Sequence, residues 1–476
     1  MEKAGGFPFI TTVSSAPVRV GEELTVRVDA LGDGPDGLCR VGKYVLFVPG
    51  VLPGEVVRIR VRSAGRKFGR GELLGIDERS PDRVDPLCEH FGRCGGCDLQ
   101  HLRYAAQLQV KTERLRKTLV HALGREVPEL APMQGPTDPW GQRTKIVLMT
   151  QTQRGRLIGG LMARGTRELV EIRECPVSEP KGFATALAAL DVAARLGWEG
   201  WAPLTDHGTL RAVVVRADPV SGTSQLGYVV RRPPPRAAEI VPGFGARLPA
   251  GIAVHENDGP AERLLGRDTR LLHGEERLAC TLGGVRYLCS PGAFFQTSHW
   301  GAGFLVEAVR RLVAPPPDAT ILDLYCGGGL LAMALADRVQ EVVGVEENPR
   351  AARDAQASAE ANRFANFRML RGPVEVHLSK LPPRPHAVLL DPPRDGAAPE
   401  VLRAIAGLQP KKIFYVSCAP EALARDLIGL GAAGYAPTTI EPFDMFPMTH
   451  HVEAVVLLEK TELDARRRLL ARARGA

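Results

Sequence analysis

KKIFYVSCAPEALARD occupies residues 411–426. Residues 413–416 are apolar and rich in β-formers, and the run stops abruptly at Ser417-Cys418. Pro420 then opens a helical stretch, PEALARDLIGLG. A strand that breaks at a turn and feeds a helix is half of a βα unit. Cys418 therefore stands at the mouth of a strand, on the edge where open α/β sheets bind their ligands. Position alone leaves two readings: a thiolate nucleophile held at that crevice, or a filler of the core.

The surrounding sequence repeats the pattern. APPPD at 314–318 is a sharp linker. Beyond it come ATILDL, LLAMALADRV, EVVGVEEN, AARDAQASAEANR, HAVLLDPP, PEVLRAIAGL and, last, VEAVVLLEK. Strands alternating with helices predict a parallel sheet covered on both faces. DLYCGGGLLA at 323–332 follows a strand and opens a helix, so its glycines allow a ligand close to the backbone. Gly327, Gly329 and Ala332 fit the loose dinucleotide pattern, a weak signal by itself and equally a bare tight turn. VVGVEEN adds Glu346 at the end of the next strand, the usual place to hold ribose hydroxyls, which NAD and S-adenosylmethionine both carry. HAVLLDPPRDG ends another strand at Asp391, with two prolines stiffening the loop. A nicotinamide enzyme has no special need of that loop.

Upstream, residues 17–77 read as short strands between Gly/Pro/Asp turns. In VVRIRVR, Arg58, Arg60 and Arg62 share one face, predicting a small OB-like barrel with a basic side suited to nucleic acid. LCEHFGRCGGCDLQH follows, then a helix expected over 99–123, with Leu108, Leu115, Leu119 and Leu123 near helical spacing. Residues 143–290 look β-rich, with a helical insert at FATALAALDVAARLG. The tail ELDARRRLLARARGA is a basic helix or a frayed end.

At 476 residues the chain is too long for one compact core, and two to four domains are expected. Its 44% hydrophobic and 24% charged content is that of a soluble globular protein. No apolar run is long enough to cross a bilayer, and MEKAGGFPFITTVSS lacks the basic and apolar regions of a secretion signal. A cytoplasmic protein without a membrane partner is expected. The net charge of +7 is modest, but Arg58, Arg60, Arg62, Arg66, Lys67 and Arg70 cluster, as do Arg103, Lys111, Arg114, Arg116 and Lys117, which suits phosphate contacts. Nine cysteines, an odd number, argue against a disulfide framework. Cys88, Cys94 and Cys97, interleaved with glycines, predict a metal or iron–sulfur hairpin, with Cys175 before a proline as the best fourth ligand and zinc as the alternative.

Together these motifs make the chain recognisable. From about residue 17 to 459 it closely resembles the RNA uracil-C5 methyltransferases that carry an N-terminal TRAM domain and an iron–sulfur cluster, in the branch acting on 23S ribosomal RNA. VLFVPGVLPGE is similar to the TRAM signature, and SPDRVDPLCEHFGRCGGCDLQHLRYAAQLQVK to the cluster segment. GAFFQTS, DLYCGGG, GVEEN, DPPRDG, VSCAPEALARD and FPMTHHVEAV occur in family order.

The resemblance implies a multidomain architecture: an OB-like TRAM β-barrel at 14–78, a central α+β iron–sulfur domain at 79–290, a Rossmann-like α/β methyltransferase domain at 291–460, and a basic tail at 461–476. Helix 99–123 is expected to pack on the catalytic domain. It implies a [4Fe–4S] cluster on Cys88, Cys94, Cys97 and Cys175, and S-adenosyl-L-methionine held by Gln296, Tyr325, Glu346 and Asp391. Cys418 becomes the nucleophile and Glu453 the general base, although a Glu entering a strand is, without context, more often a solvated end. The implied partner is 23S rRNA, with a tRNA loop uridine as the alternative, and the expected state is a monomer. Departures from the family pattern are Leu330 for Asn or Thr, Ala422 for Thr, and Gln142 where a Tyr is usual before Arg143. Two readings of other classes compete: a non-catalytic RNA-binding protein, against which Cys418 and Glu453 stand, and a nicotinamide oxidoreductase, to which DPPR and SCAP offer nothing.

Overall fold

The computed structural model describes residues 17–124, 127–202, 205–259 and 268–461. Residues 14–16 of the expected barrel and 462–476 of the basic tail lie outside the described residues. Contacts divide the chain into two compact units. One comprises the residues up to Pro86 together with Asp98–Ala106; the other comprises Leu87–Cys97 and the chain from Gln107 onward.

The first unit is a closed barrel of β1 (Glu23–Leu31), β2 (Gly37–Val41), β3 (Tyr44–Val48), β4 (Val56–Ala64) and β5 (Phe68–Glu78), in the order β1-β2-β3-β5-β4. Val57, Ile59 and Val61 point inward and are fully buried. Arg58, Arg60 and Arg62 point outward as the alternation predicts, but the face is not a free basic stripe. Arg58 pairs with Asp77 at 3.0 Å, Arg60 with Glu23 at 2.7 Å, and Arg62 with Glu72. A fully buried carboxylate, Glu55, closes the unit by accepting from Leu52 N, Ser80 N and both Nε and Nη2 of Arg83. Burial pushes that carboxyl up, but Arg83 and the two backbone donors outweigh it and leave it below the usual range.

The helix expected over 99–123 begins later, as α1 (Tyr104–Leu123). Residues 99–103 stay irregular because their backbone pairs elsewhere: Val84 N donates to His101 O, Arg103 N to Asp82 O, and Arg83 bridges Leu102.

In the second unit a seven-stranded sheet comes first in the chain. Its strands are β6 (Lys145–Gln153), β7 (Arg156–Met162), β8 (Leu169–Glu171), β9 (Leu210–Asp218), β10 (Thr223–Val230), β11 (Gly251–Glu256) and β12 (Asp268–Gly274), in the order β12-β11-β10-β9-β6-β7-β8. The helical insert is α2 (Pro180–Arg195), which buries Phe183, Ala186, Ala189, Leu190 and Ala193 in the core shared with this sheet; the short α3 (Ile240–Phe244) adds to the same core. A hairpin follows, β13 (Leu278–Leu282) and β14 (Val285–Cys289). Leu282, Val285, Tyr287 and Cys289 of this hairpin join the core of the next sheet rather than that of the preceding one.

That next sheet holds β15 (Thr320–Leu324), β16 (Glu341–Glu346), β17 (Phe367–Arg371), β18 (Ala387–Leu390), β19 (Lys412–Ser417), β20 (Tyr435–Phe443) and β21 (Glu453–Lys460). The order is β17-β16-β15-β18-β19-β21-β20. The first five run parallel, whereas β21 is antiparallel to both neighbours. The connections reverse direction beside β15, which opens a crevice at the carboxyl edge. Alternate residues feed two cores. Ile321, Leu389, Phe414 and Val455 face α4 (His299–Val313), α5 (Leu330–Ala336) and α6 (Pro349–Ala361). Leu322, Val388, Tyr415 and Val456 face α7 (Pro399–Leu408) and α8 (Pro420–Ala432). Leu115, Leu119 and Leu123 of α1 complete this second core. Each such side chain contributes about 1.5–3 kcal/mol by leaving water.

Candidate active site

Cys418 is the residue after β19, half-buried in the turn that Pro420 converts into α8. Ser417 Oγ accepts from Ala419 N at 3.2 Å and holds the turn. β21 runs antiparallel to β19, with Ser417 opposite Ala454 as their last pair. One step further along that register sets Cys418 beside Glu453, the first residue of β21. Glu453 is buried, not a solvated strand end.

The electrostatics follow from this placement. Burial pushes the Cys418 thiol up to about 11; Glu453 and Asp391 add to the rise and Arg394 opposes it. Burial also drives the Glu453 carboxyl well above its ordinary range. Asp391 and Asp444 reinforce that shift, while Arg394 and Lys111 pull against it. Asp391 follows β18 and is pushed up to about 7 by burial, against a 2.9 Å hydrogen bond from Gln296 Nε2. The Gln296 segment is anchored by Thr144, whose N and Oγ1 both donate to Thr297 O.

At β15 and β16 the loop is tight. Tyr325 adopts φ 63°, a left-handed conformation costly for a non-glycine residue, and Gly329 adopts φ 82° as α5 begins. Glu346 accepts from Gly327 N at 2.8 Å and Asn348 N at 2.6 Å; burial nevertheless raises its carboxyl. The phenol of Tyr325, pushed up to about 12 by burial, senses Glu375, Asp426, Glu347 and Glu400 rather than Cys418 and Glu453.

The structure thus gathers Gln296, Asp391, Cys418 and Glu453, with Glu346 on the same sheet edge and Tyr325 on the adjoining loop. Sequence reasoning missed three partners. Arg394, in the DPPR loop, acts on both Cys418 and Glu453, and its Nη2 lies 3.3 Å from the ring nitrogens of His451. Asp323 is buried, accepts from Ala332 N at 2.8 Å and leaves Oδ1 without a partner. Phe294, 57% exposed, stands next to Gly327. The signal for Arg394 was present in its motif; the other two depend on how the loops fold. Burial raises the Asp323 carboxyl well above its ordinary range, and Asp391 and Glu346 add to the rise. A thiol, a carboxyl base and a cation beside them can support covalent addition followed by proton removal.

The cysteine loop lies at the other sheet. Cys94 bridges Ala163, Gly95 N donates to Met162 O at 3.0 Å, and Arg164 N donates to Arg93 O at 3.0 Å. Gly96 O accepts from Arg143 Nη2 at 3.1 Å. Burial raises the Cys88 and Cys94 thiols, and both sense Cys175, whose Sγ accepts from Ser178 Oγ at 3.2 Å. Cys97 is half-buried in the same loop. Among the described residues no group of three or more Cys, His or acidic side chains is arranged to hold a metal ion. Three of the four thiols, those of Cys88, Cys94 and Cys175, lie within electrostatic reach of one another.

Comparison with known proteins is consistent across its levels. Residues 17–74 match the TRAM domain family, and residues 384–461 match the family described as tRNA (Uracil-5-)-methyltransferase. A protein of Gloeobacter violaceus described as an uncharacterized RNA methyltransferase is 33% identical over 448 residues, covering 93% of this chain and 97% of that protein. One of Halalkalibacterium halodurans with the same description is 31% identical over 454 residues, covering 93% and 98%. Among solved structures, the Pyrococcus abyssi tRNA (uracil-54, C5)-methyltransferase in complex with S-adenosyl-L-homocysteine is similar, with a TM-score of 0.73 and 27% identity over 91% of this chain and 99% of that one.

Proposed function

The chain belongs to the RNA methyltransferase family, and from that premise we propose that it transfers the methyl group of S-adenosylmethionine to C5 of a uridine in 23S rRNA. The observation that carries the reading is Cys418 set beside Glu453 at the carboxyl edge of the sheet, within reach of Asp391 and Arg394. S-adenosylmethionine supplies an electrophilic methyl on a sulfonium. Gln296, Tyr325, Glu346 and Asp391 would hold it, with Gln296 bonded to Asp391 and Glu346 to the Gly327 N–H.

Uracil C5 is a weak nucleophile. Addition of the Cys418 thiolate to C6 moves electron density to C5, which can then attack the methyl group. The C5 proton leaves to Glu453, and the thiol is eliminated to restore the ring. In the free protein burial disfavours the ionised form of both groups. Arg394 favours the ionised form of each. A stacked base cannot reach this crevice, so the target uridine would be in a loop or flipped out. On the barrel, Arg66 and Lys67 beside the exposed Phe68 are better placed to grip RNA than the acid-paired arginines of β4.

Cys88, Cys94, Cys97 and Cys175 would hold a [4Fe–4S] cluster. Its support is the mutual sensing of three of these thiols and the cysteine spacing. The cluster would order the loop; methyl transfer moves no electrons. We read the protein as a cytoplasmic monomer that meets RNA in solution; no described helix is long and apolar enough to cross a membrane. A second reading, the same chemistry on a tRNA loop uridine, is favoured by the likeness to the Pyrococcus abyssi tRNA (uracil-54, C5)-methyltransferase.

The test is incubation of anaerobically purified protein with methyl-labelled S-adenosylmethionine and, separately, unmethylated 23S rRNA and tRNA transcripts. Label in 5-methyluridine of 23S rRNA, absent with Cys418→Ala, is the expected result. Label in tRNA alone selects the second reading. No label in either RNA removes the catalytic assignment of Cys418.

A further inference from the structure

Three polar residues of α1, Gln107, Lys111 and Arg114, recur at helical spacing and so share one face of the helix. All three reach the segment 444–450 that leads into β21. Gln107 Oε1 accepts from Met448 N at 3.0 Å, and its Nε2 lies 3.3 Å from Met448 Sδ. Lys111 Nζ donates to Asp444 Oδ1 at 2.7 Å and to Phe446 O at 3.1 Å. Arg114 Nη1 donates to His450 O at 3.3 Å, while its Nη2 lies 3.2 Å from Glu421. The segment begins with Asp444 N donating to Gln134 O at 2.7 Å and then runs outside the strands. It turns back at Met448, whose φ is 66°, and Thr449 Oγ1 donates to Phe446 O at 2.8 Å. It then presents His451 to Arg394 and ends in Glu453.

The Lys111–Asp444 pair is buried, with side chains 1% and 0% exposed. Such a pair is weak evidence for stability, because apolar residues of the same volume often serve as well. Its value must lie in what it specifies. Here both charges face Glu453, together with Asp391 and Arg394.

We infer that Lys111 is a positioning residue for Glu453: through Asp444 and the Phe446 carbonyl it fixes the segment that delivers the base. Its charge also favours the ionised carboxylate. Gln107 and Arg114 hold the same segment at two further points. This rests on the reading of Glu453 as the base that removes the C5 proton. Asp444 acts in the opposite sense, so the pair sets the proton affinity of Glu453 from both sides.

The signs give the test. Single-turnover release of free 5-methyluridine RNA from the covalent adduct is followed against pH, on whichever unmethylated transcript, 23S rRNA or tRNA, accepts label from the wild type. The covalent enzyme–RNA adduct is scored on denaturing gels. Proton removal needs ionised Glu453, so the rate rises through its titration. Lys111→Met should move that rise to higher pH by about one unit, slow turnover about tenfold at neutral pH, and accumulate methylated adduct through Cys418. Asp444→Asn should move the rise to lower pH, and it keeps the test open if Lys111→Met fails to fold. Lys111→Arg, which keeps the charge, should leave the profile in place. Equal profiles for folded Lys111→Met or Asp444→Asn and wild type, or a shift of the wrong sign, would overturn the role. Absence of adduct in Glu453→Gln would overturn the base assignment itself, and the role of Lys111 with it.

Discussion

Cys418 and Glu453 sit side by side because β19 and β21 are antiparallel and pair Ser417 with Ala454. The register, not a loop, brings the proposed nucleophile and base together, and Glu453 makes the Cys418 thiol harder to ionise. Replacing Glu453 by Gln removes a negative neighbour of the thiol. The midpoint for alkylation of Cys418, about 11 in the wild type, should then fall, as read by iodoacetamide labelling against pH with peptide mapping. The variant should hold a more acidic thiol and yet turn over more slowly. A midpoint unchanged or raised would mean that the two side chains do not share a field.

Asp391 should trade stability for function. Its carboxyl is pushed up to about 7, above its value in the unfolded chain. A raised group contributes its full stability only below the unfolded pKa, and loses it as pH rises toward the folded one. The free protein should therefore weaken between about pH 4 and 7, in part through Asp391. Asp391→Asn should flatten that limb and gain about 1–3 kcal/mol at neutral pH, measured by urea unfolding. It should also lose S-adenosylmethionine binding by calorimetry, since the carboxylate is gone. A variant no more stable than wild type at neutral pH, with the same slope, would show that Asp391 is not strained by burial.

What the sequence disclosed divides along physical lines. Strand ends and tight loops are local, so Cys418, Glu346 and Asp391 were legible from where apolar runs stop. Glu453 was legible only through the resemblance carried by FPMTHHVEAV: a Glu entering a strand is ordinary, and it is the register with β19 and the burial of its side chain that set it apart in the structure. Lys111 read as one charge in a basic helix, because Asp444 lies 333 residues away in the chain and no spacing rule links them. The start of α1 was misplaced because pairing of residues 101–103 with 82–84 overrides helical propensity. The outward arginines of β4 were read correctly as a face but not as pairs, since each acidic partner is distant in the chain and no local spacing links it to its arginine.

Those pairs carry a prediction for RNA binding. An arginine already facing a carboxylate releases few counterions when a phosphate arrives, whereas an unpaired one releases its share. No ion pair is found for Arg66 or Lys67 among the described residues, and Phe68 beside them is 51% exposed. Arg66→Glu with Lys67→Glu should weaken RNA binding about tenfold or more and lower the salt slope by about two. Arg58→Ala with Arg60→Ala should change both far less. Filter binding across salt concentrations separates the two cases, and equal losses from both variants would restore the basic stripe.

The proposed cluster at the cysteine loop can be tested by removal of the metal. Backbone bonds at Arg93, Cys94 and Gly95 tie the loop to residues 162–164. A cluster bound there would contribute its binding energy as folding energy. Cys175→Ser in anaerobically purified protein should therefore lose bound iron, sulfide and the broad visible absorption together, and should lower the melting temperature. Chelation of the wild type should do the same. Oxidation state should not matter to the reaction, because thiol addition, methyl transfer and proton removal exchange no electrons with the protein. Dithionite-reduced and untreated samples should methylate RNA at equal rates. A rate that follows the redox state would give the cluster a part in turnover, and zinc in place of iron would make the loop a plain structural metal site.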